Sequence, residues 1–413
     1  MKDYTRIKKK ITTVLFLSQG LSSAGFIAAF TVNAIVAVNL SGKTSMAGLP
    51  GALYVLGQAF GALMLGLSME RTGRRKGLAF GQIIGVIGSA MAINAIFNHS
   101  FIFFLVGLVL VGIARAAVDL GRFAAAEVHL PAERGRAISY VVLGSTVGAV
   151  VGPLLVGPTG RMAIVAGFPE LAGPYSVSFF GLILAAGLIL VGLRPEPRDI
   201  GREISSWQED SHSLKTARTL REIIKEPSVS LAVISMVFAQ MVMVVPMSIT
   251  SVHMKTHDHP LTAVSIVVSA HTLGMFAFSI LSGKLTDKWG RGPVIILGST
   301  LLILSCLMAA PSEKFLPLLI ALFLLGLGWN LAYVAGSTLL ADQLAPEERA
   351  KAQGFNDLLL NLGSAASQVG SGVVYAFGGY LVMGVSAAIM ATVPLIAALW
   401  WRKVVAQKQN NDQ

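Results

Sequence analysis

The sequence is poor in charged residues and in cysteine. Asp, Glu, Lys and Arg make up 13% of the 413 residues, against about 25% in an ordinary soluble domain. Such a chain has too few polar side chains to cover a water-facing surface. The one cysteine, Cys306, excludes a disulfide framework or a thiolate cluster within one chain. It lies inside an apolar run, where a buried structural thiol is expected.

Motifs for covalent chemistry are also missing. The sequence has no loop of the G-x-x-x-x-G-K-[ST] type, which argues against an ATP-driven pump. No catalytic motif occupies a loop of adequate size, so we expect neither enzyme activity nor a resident cofactor. Without such motifs, a transporter that is not driven by ATP is one hypothesis, and a membrane receptor or a structural membrane protein is the alternative. Saturable uptake in vesicles would distinguish a transporter from the other two.

Long apolar runs are what the sequence does have. Hydrophobic residues make up 54% of the chain, and runs of about 20 residues recur, the length that crosses a membrane as a helix. Backbone groups in lipid need internal partners, and these runs are too long for barrel strands. The sequence therefore predicts an all-α membrane protein with twelve transmembrane helices. We number these spans 1 to 12: 12–40, 49–68, 77–97, 101–125, 137–157, 174–194, 227–251, 262–283, 293–310, 316–340, 352–378 and 380–401.

The positive charge follows the predicted topology. The formal net charge is +11, and most Lys and Arg residues fall in the termini and in the loops on one side of the spans. The loops on the other side carry only four: Lys43, Arg161, Lys255 and Lys314. By the positive-inside rule both termini are cytoplasmic. The charge thus reflects membrane orientation, and we expect no nucleic-acid partner.

Two loop sequences occur twice. The loop after span 2 reads GLSMERTGRRKG from Gly66, and the loop after span 8 reads GKLTDKWGRGP from Gly283. PAERGRA from Pro131 and PEERAKA from Pro346 follow spans 4 and 10. Two repeats in equivalent loops at nearly one offset indicate duplicated halves.

One long polar segment separates the halves. The sequence predicts an N-terminal six-helix bundle over 1–194, a cytoplasmic linker over 195–226 and a C-terminal six-helix bundle over 227–413. Within the linker, Thr216 to Lys225 has apolar residues at helical spacing among basic ones, which predicts an amphipathic helix at the membrane surface.

The repeated loop G-x-x-x-[D/E]-R/K-x-G-R-[R/K] resembles the signature loop of the major facilitator superfamily. That resemblance implies two bundles related about an axis along the membrane normal, a central cavity and alternating access. Span 4 adds a stripe of charges spaced four and three residues apart, and Asp357 lies near the start of span 11. These charges suit a proton or anion site, or a network that locks one conformation. The predicted network contains Glu70, Arg74, Arg115, Asp119, Arg122, Asp287 and Arg291.

Span 5 contains glycines at every fourth position. Gly144, Gly148 and Gly152 are followed by Pro153, and small residues at this spacing let another helix approach closely. The run is similar to an antiporter motif of the same superfamily, and it is also common packing in membrane helices. A drug/proton antiporter, which would confer drug resistance on overexpression, is therefore a third functional hypothesis.

Spans 7 and 8 contain soft metal donors. Met243 and Met247 are four residues apart, as are His271 and Met275, so each pair projects from one helix face. Met243 and His271 lie roughly 12 Å and roughly 13 Å below the outer ends of their spans. Two kinds of soft donor without a hard oxygen ligand suit Cu(I). Methionine is also an ordinary filler of irregular cores, so packing is the alternative.

More histidines lie at the outer end of span 7. His253, His257 and His259, with Asp258 between the last two, occur in SVHMKTHDHP. Neutral imidazoles are frequent metal ligands, and these residues would collect a metal above the deeper donors. The alternative is a solvated polar loop.

The paired motifs of spans 7 and 8 resemble those of the CcoA-like bacterial importers. That family has copper-carrying members, which supply copper for cytochrome oxidase assembly, and a riboflavin-importing branch. The resemblance makes both donor pairs the metal-site candidates: Met243 with Met247, and His271 with Met275. Copper-carrying members also have cysteines implicated in uptake, whereas this chain has only Cys306.

A flavin requires stacking and hydrogen bonds inside a cavity. The side chains that suit it here are aromatic or amide groups within predicted spans, although Trp and Tyr are also ordinary packing residues. They are Trp329, Asn330, Tyr333 and Asn33, with Gln19 and Gln58.

From these patterns we expect an importer in a bacterial cytoplasmic membrane that works by alternating access. Copper is the leading substrate, riboflavin the alternative and drug/proton antiport the third hypothesis. The expected partners are a small solute or metal ion and membrane lipid, with the chain acting as a monomer and copper present only as cargo.

Overall fold

The structure is a computed structural model that describes residues 4–205 and 218–411. The described part of the chain forms α-helices, one short 3₁₀ helix at Thr44–Met46 and connecting turns, without a strand. The helices are α1 (Tyr4–Ser41), α2 (Leu49–Thr72), α3 (Arg74–Phe97), α4 (Phe101–Glu127), α5 (Pro131–Val165), α6 (Ala172–Gly192), α7 (Pro197–Ser205), α8 (Leu220–Lys225), α9 (Pro227–Thr256), α10 (Leu261–Phe276), α11 (Ser279–Trp289), α12 (Arg291–Ala309), α13 (Phe315–Asp342) and α14 (Pro346–Asn411).

The apolar segments match the twelve predicted spans. Eleven helical stretches of the described chain are long and apolar enough to cross a membrane, and the last, Lys351–Lys403, has 53 residues. One crossing needs only about 20 residues, and this stretch is interrupted by Gly379, whose φ of 66° and ψ of −168° are not helical. Glycine adopts a positive φ without steric cost. The stretch therefore holds spans 11 and 12, and the predicted all-α membrane fold is confirmed.

Span 8, predicted as one helix, is broken between α10 and α11. The Asn330 side chain of α13 lies beside the break and donates from Nδ2 to the Met275 carbonyl at 2.6 Å and to the Ser279 hydroxyl at 2.8 Å. The Ser282 hydroxyl donates to the Asn330 oxygen. A break at membrane depth is tolerated where side chains satisfy the freed backbone groups. A distant amide thus fixes a feature that local sequence does not reveal.

The described chain divides into two compact units. Unit 1 contains residues 4–43, 49–205 and 260–265, and unit 2 contains 44–48, 218–259 and 266–411. In unit 1, α1 packs against α5 and α6, and α3 packs against α4. In unit 2, α9 packs against α14 and α13, and α12 packs against α13. The two units thus repeat one packing scheme.

A ladder of glycines, Gly144, Gly148 and Gly152, holds α5 against α1. A Cβ atom at these glycines would lie 2.3, 2.1 and 2.5 Å from the carbonyl oxygens of Phe16, Gly20 and Ala24 respectively. Ordinary van der Waals contact begins at 3.4 Å, so only glycine permits this approach. The small-residue motif predicted in span 5 therefore packs against span 1 of the same unit.

The start of the linker is fixed to unit 1. The Glu196 carboxylate accepts hydrogen bonds from the backbone N–H groups of Arg74 and Arg75 at the start of α3. Arg198 donates to the Glu70 carbonyl at 2.8 Å, and Tyr4 donates to Glu203. Sequence patterns did not predict α7, whose start is marked by Pro197 in the first turn, a common position for proline.

The end of the linker is fixed to unit 2. Of the amphipathic helix predicted from Thr216 to Lys225, α8 forms the last six residues, and residues 206–217 lie outside the described residues. Arg218 donates from Nε at 2.9 Å and from its terminal nitrogen at 2.8 Å to the Glu348 carboxylate, which is 3% exposed. These hydrogen bonds hold the pKa of Glu348 at about 2, below its ordinary 4.5. In unit 1 the corresponding Glu133 accepts a hydrogen bond from Lys8 at 2.9 Å.

Candidate functional site

An aromatic platform lies near the middle of α13 in unit 2. Trp329 and Tyr333, four residues apart on one helix face, stack with ring centroids 4.8 Å apart and an interplanar angle of 22°. Phe276, the last residue of α10, meets Trp329 edge-on at 6.3 Å and 73°. All three side chains are half-buried. The platform therefore presents π-faces in a partly enclosed region, which suits stacking with a planar ring.

A short chain of hydrogen bonds orients the platform. The indole Nε1 of Trp329 donates to Gln240 Oε1 of α9 at 2.8 Å. The amide Nε2 of Gln240 donates to the Ser364 hydroxyl of α14 at 3.2 Å. Three helices thus fix the plane of one indole. Sequence reasoning missed Gln240, Ser364 and Phe276. The signal for Gln240 was an amide inside an apolar span, where polar groups are rare and usually functional.

The two asparagines predicted for a flavin site are engaged elsewhere. Asn330 is 2% exposed and bonds the break in span 8 through both its amide nitrogen and its oxygen. It therefore positions Phe276 and α11 relative to α13. Asn33 belongs to unit 1, where its oxygen accepts a hydrogen bond from the buried Tyr175 hydroxyl. Of the four predicted residues, Trp329 and Tyr333 share the platform surface.

The other predicted amides also bond inside unit 1. Gln19 donates to the Val118 carbonyl and accepts from the Ser145 hydroxyl. Gln58 donates to Asp119 at 2.7 Å. Both amides therefore join spans of their own unit.

His271 has one orphaned ring nitrogen. The side chain is 2% exposed, and Nδ1 lies 2.9 Å from the Leu322 carbonyl of α13. Because a carbonyl only accepts, Nδ1 carries the proton, and Nε2 of the neutral ring presents a lone pair. No described residue bonds to Nε2. Metal-binding histidines commonly donate their other N–H to a carbonyl in this way.

Glycines fix the position of His271 against α13. A Cβ atom at Gly326 would lie 2.2 Å from the His271 carbonyl oxygen, and one at Gly274 would lie 2.4 Å from the Phe323 carbonyl oxygen. The two helices therefore touch at their backbones. Met275, one turn after His271, is half-buried.

The methionines of span 7 lie on α9, which also packs on α13. Met243 is 7% exposed and Met247 is half-buried. Both predicted donor pairs therefore lie on helices that contact α13. Among the residues described, no three His, Cys, Asp or Glu side chains form a metal cluster, so a site here would depend on thioethers and one imidazole.

The outer histidines bond to the loop after α12. His253 Nε2 lies 2.9 Å from the Ser312 carbonyl, and its ring stacks on Tyr380 with centroids 4.0 Å apart. His259 Nε2 lies 2.8 Å from the Glu313 carbonyl. His257 Nδ1 lies 2.8 Å from the His253 carbonyl, and its Nε2 lies 3.4 Å from the Glu313 carboxylate. In this arrangement the imidazoles join α9 to the neighbouring loop, and metal collection stays a prediction.

Two arginines and one aspartate of span 4 lie in unit 1, and one ion pair joins two of them. Arg115 Nε lies 3.3 Å from Asp119, and the guanidinium carbon lies 6.0 Å above the Phe26 ring. The Arg122 guanidinium lies 5.0 Å from the Phe123 ring. Asp119 thus has both a cation and the amide of Gln58 as partners, which satisfies a carboxylate at membrane depth.

The two signature loops make equivalent ion pairs. Arg74 bonds to Glu127 at the end of α4. Arg291 bonds to Asp342 at the end of α13 at 2.9 Å and lies 3.9 Å from Asp287. Sequence reasoning missed Glu127 and Asp342. Each acid lies four residues before the proline of the second repeated loop. This equivalent position in the two halves indicates that each acid pairs with the arginine of its own signature loop.

Comparisons with known proteins agree with this architecture. The sequence model of the Major Facilitator Superfamily matches residues 15–259 and 232–413. The chain is 34% identical over 406 residues to the uncharacterized MFS-type transporter YddS of Bacillus subtilis (strain 168), covering 98% of this chain and 93% of that protein. It is 30% identical over 361 residues to the riboflavin transporter RfnT of Brucella anthropi, covering 87% of each.

A solved structure gives the same fold. The crystal structure of a D-xylose–proton symporter matches with a TM-score of 0.72 and 16% identity, covering 95% of this chain and 96% of that one. The predicted superfamily and its two six-helix bundles are thus confirmed, and the relatives are transporters and not enzymes. This chain belongs to the Major Facilitator Superfamily and is a multi-pass secondary transporter of a small solute.

Proposed function

We propose that this protein imports riboflavin, or a closely similar planar heteroaromatic solute, across a bacterial cytoplasmic membrane, with both termini on the cytoplasmic side. The observation that carries the proposal is the stacked pair Trp329 and Tyr333 with Phe276 edge-on. An isoalloxazine ring is planar and apolar on its faces, so it gains most from such a surface. The 30% identity to a riboflavin transporter supports the same assignment.

The polar groups around the platform suit the edges of such a ring. Ligand sites combine apolar faces with a few oriented hydrogen-bonding groups. Gln240 and Ser364 border the indole edge of Trp329. One aromatic surface and its polar margin thus support this substrate class.

Uptake of labelled riboflavin by a riboflavin auxotroph tests this function. Trp329→Ala removes the indole face, and the loss of stacking of about 0.5–1.5 kcal/mol raises the KM by about two- to tenfold. Trp329→Phe keeps a ring and retains most of the uptake. Trp400→Ala is the matched control, since Trp400 is 57% exposed. Equal uptake by Trp329→Ala and Trp400→Ala at low riboflavin contradicts the proposal.

A soft metal ion is the second candidate, favoured by the orphaned His271 Nε2. With Met275 on the next turn, this nitrogen offers the imidazole and thioether donors that Cu(I) prefers. Met275→Leu keeps the side-chain volume and removes the sulfur, so it lowers labelled Cu(I) uptake into proteoliposomes. Met162→Leu, at a side chain 69% exposed, is the control. Identical copper uptake in both variants excludes this candidate.

A further inference from the structure

A pocket of about 550 Å³ lies between the N-terminal turns of α1 and α5 in unit 1. Its position follows from the packing of the two helices. The glycine ladder holds α5 against α1 from Gly144 onward. One turn earlier, Tyr140 stacks on Phe16 with ring centroids 4.9 Å apart. The pocket lies beyond this aromatic pair, towards the N-terminal ends of the two helices.

Cations outnumber carboxylates in this pocket. Lys8, Lys9 and Arg136 line it, together with Glu133. Lys8 Nζ donates to the Glu133 carboxylate at 2.9 Å, which neutralises both groups. Lys9 and Arg136 are exposed and form no ion pair with a described residue. Within the described chain, the pocket therefore has two positive charges without a counterion.

Neutral donors complete the lining. The hydroxyl groups of Thr5 and Thr13 border the pocket. His129 also lines it, with Nδ1 2.8 Å from the Ala125 carbonyl. This contact fixes the ring orientation. A site with Arg, Lys and hydroxyl donors matches the oxygens of a phosphate group.

The pocket also lies at the ends of two candidate membrane spans. Thr5 and Arg136 are near the starts of two helices that form candidate membrane spans, on the same side as the basic loops. Tyr140 is 45% exposed, as is common for tyrosines at a membrane interface. Basic pockets between membrane helices at this depth bind anionic headgroups.

We propose that this pocket binds the phosphate of an anionic phospholipid headgroup, with Lys9 and Arg136 as its ligands. Contacts within unit 1 fix the surrounding helices. The Lys8–Glu133 pair joins α1 to α5, and Tyr4 bonds to Glu203 of α7. A soluble phosphate ester shares the chemistry, and the position at the ends of two spans favours lipid.

A titration of the purified full chain in detergent with short-chain phosphatidylglycerol tests the site through the rise in Tm. The variant Lys9→Gln/Arg136→Gln removes both free cations. Lys10→Gln/Lys76→Gln is the matched control, since it removes two exposed cations of unit 1 that do not line the pocket. We expect the apparent Kd to rise at least about tenfold in the pocket variant and to change little in the control.

Further measurements decide whether the bound phosphate comes from a lipid or from a soluble ester, and control for misfolding of the variants. Lys9→Arg keeps the charge and should retain binding even where the double variant folds poorly. Stabilisation by phosphatidylglycerol without stabilisation by glycerol 3-phosphate assigns the site to lipid, and equal stabilisation by both assigns it to soluble phosphate esters. An equal loss of affinity in the pocket variant and the control overturns the proposal. An equal response to zwitterionic phosphatidylcholine also overturns it.

Discussion

Gly148 lies where α5 comes nearest to α1, and its replacement by alanine measures how tightly unit 1 is packed. A Cβ atom there would lie 2.1 Å from the Gly20 carbonyl oxygen. The helices would have to separate by about 1.3 Å to reach the 3.4 Å of ordinary contact. Overpacking of this kind costs about 1–3 kcal/mol. At about 2–4 °C per kcal/mol for a unit of this size, the Tm of Gly148→Ala falls by roughly 2–12 °C.

Gly187→Ala is the matched control, because a Cβ atom at Gly187 meets nothing within 4 Å. Alanine favours helix over glycine by about 1 kcal/mol, so the control keeps or raises its Tm. Gly20→Ala, with a Cβ 3.3 Å from the Gly144 carbonyl oxygen, should fall between the two. Fluorescence-detected gel filtration after heating gives the three Tm values. A Gly148→Ala protein as stable as Gly187→Ala would refute the packing argument.

Two further predictions concern polar contacts. Because the pKa of Glu348 is lowered to about 2, its ion pair with Arg218 stabilises the protein fully above about pH 4.5 and is lost as pH falls towards 2. The Tm difference between wild type and Glu348→Gln should therefore be constant from pH 8 to pH 5 and narrow below pH 4.5; a difference unchanged at pH 3 would contradict this. Asn330→Ala leaves the Met275 carbonyl and the Ser282 hydroxyl without their partner, at a cost of about 1–3 kcal/mol. The same heating assay should detect the lower Tm of this variant, and an unchanged Tm would show that the break in span 8 does not depend on Asn330.

Sequence periodicity and hydropathy predicted the membrane architecture well. The limits assigned to spans 11 and 12 meet at Gly379, where the helix is interrupted. A long apolar run indicates that a helix is surrounded by lipid, and the thickness of the bilayer sets a nearly constant length for each membrane-spanning helix. The break in span 8 was not predicted, because it depends on Asn330, about 50 residues away along the chain. Local sequence patterns do not reveal contacts between residues so far apart in the chain.

The candidate site was predicted only in part. Trp329 and Tyr333 share a face because they are four residues apart. Gln240, which orients the indole, comes from another helix. His271 was predicted from its four-residue spacing to Met275, but the orphaned nitrogen depends on the Leu322 carbonyl. Residue type and spacing therefore suggest candidates, and tertiary contacts decide which atoms remain available.

The anchoring of the linker has a consequence for protein engineering. Glu196 and Arg198 bond only within unit 1 in the described chain, and Arg218 bonds to Glu348 of unit 2. A cut in the polypeptide between residues 206 and 217 would leave each of these contacts inside its own fragment. The two fragments, co-expressed from separate genes, would each keep the hydrogen bonds that hold their linker ends. This site is therefore the rational place for a split reporter or an affinity tag.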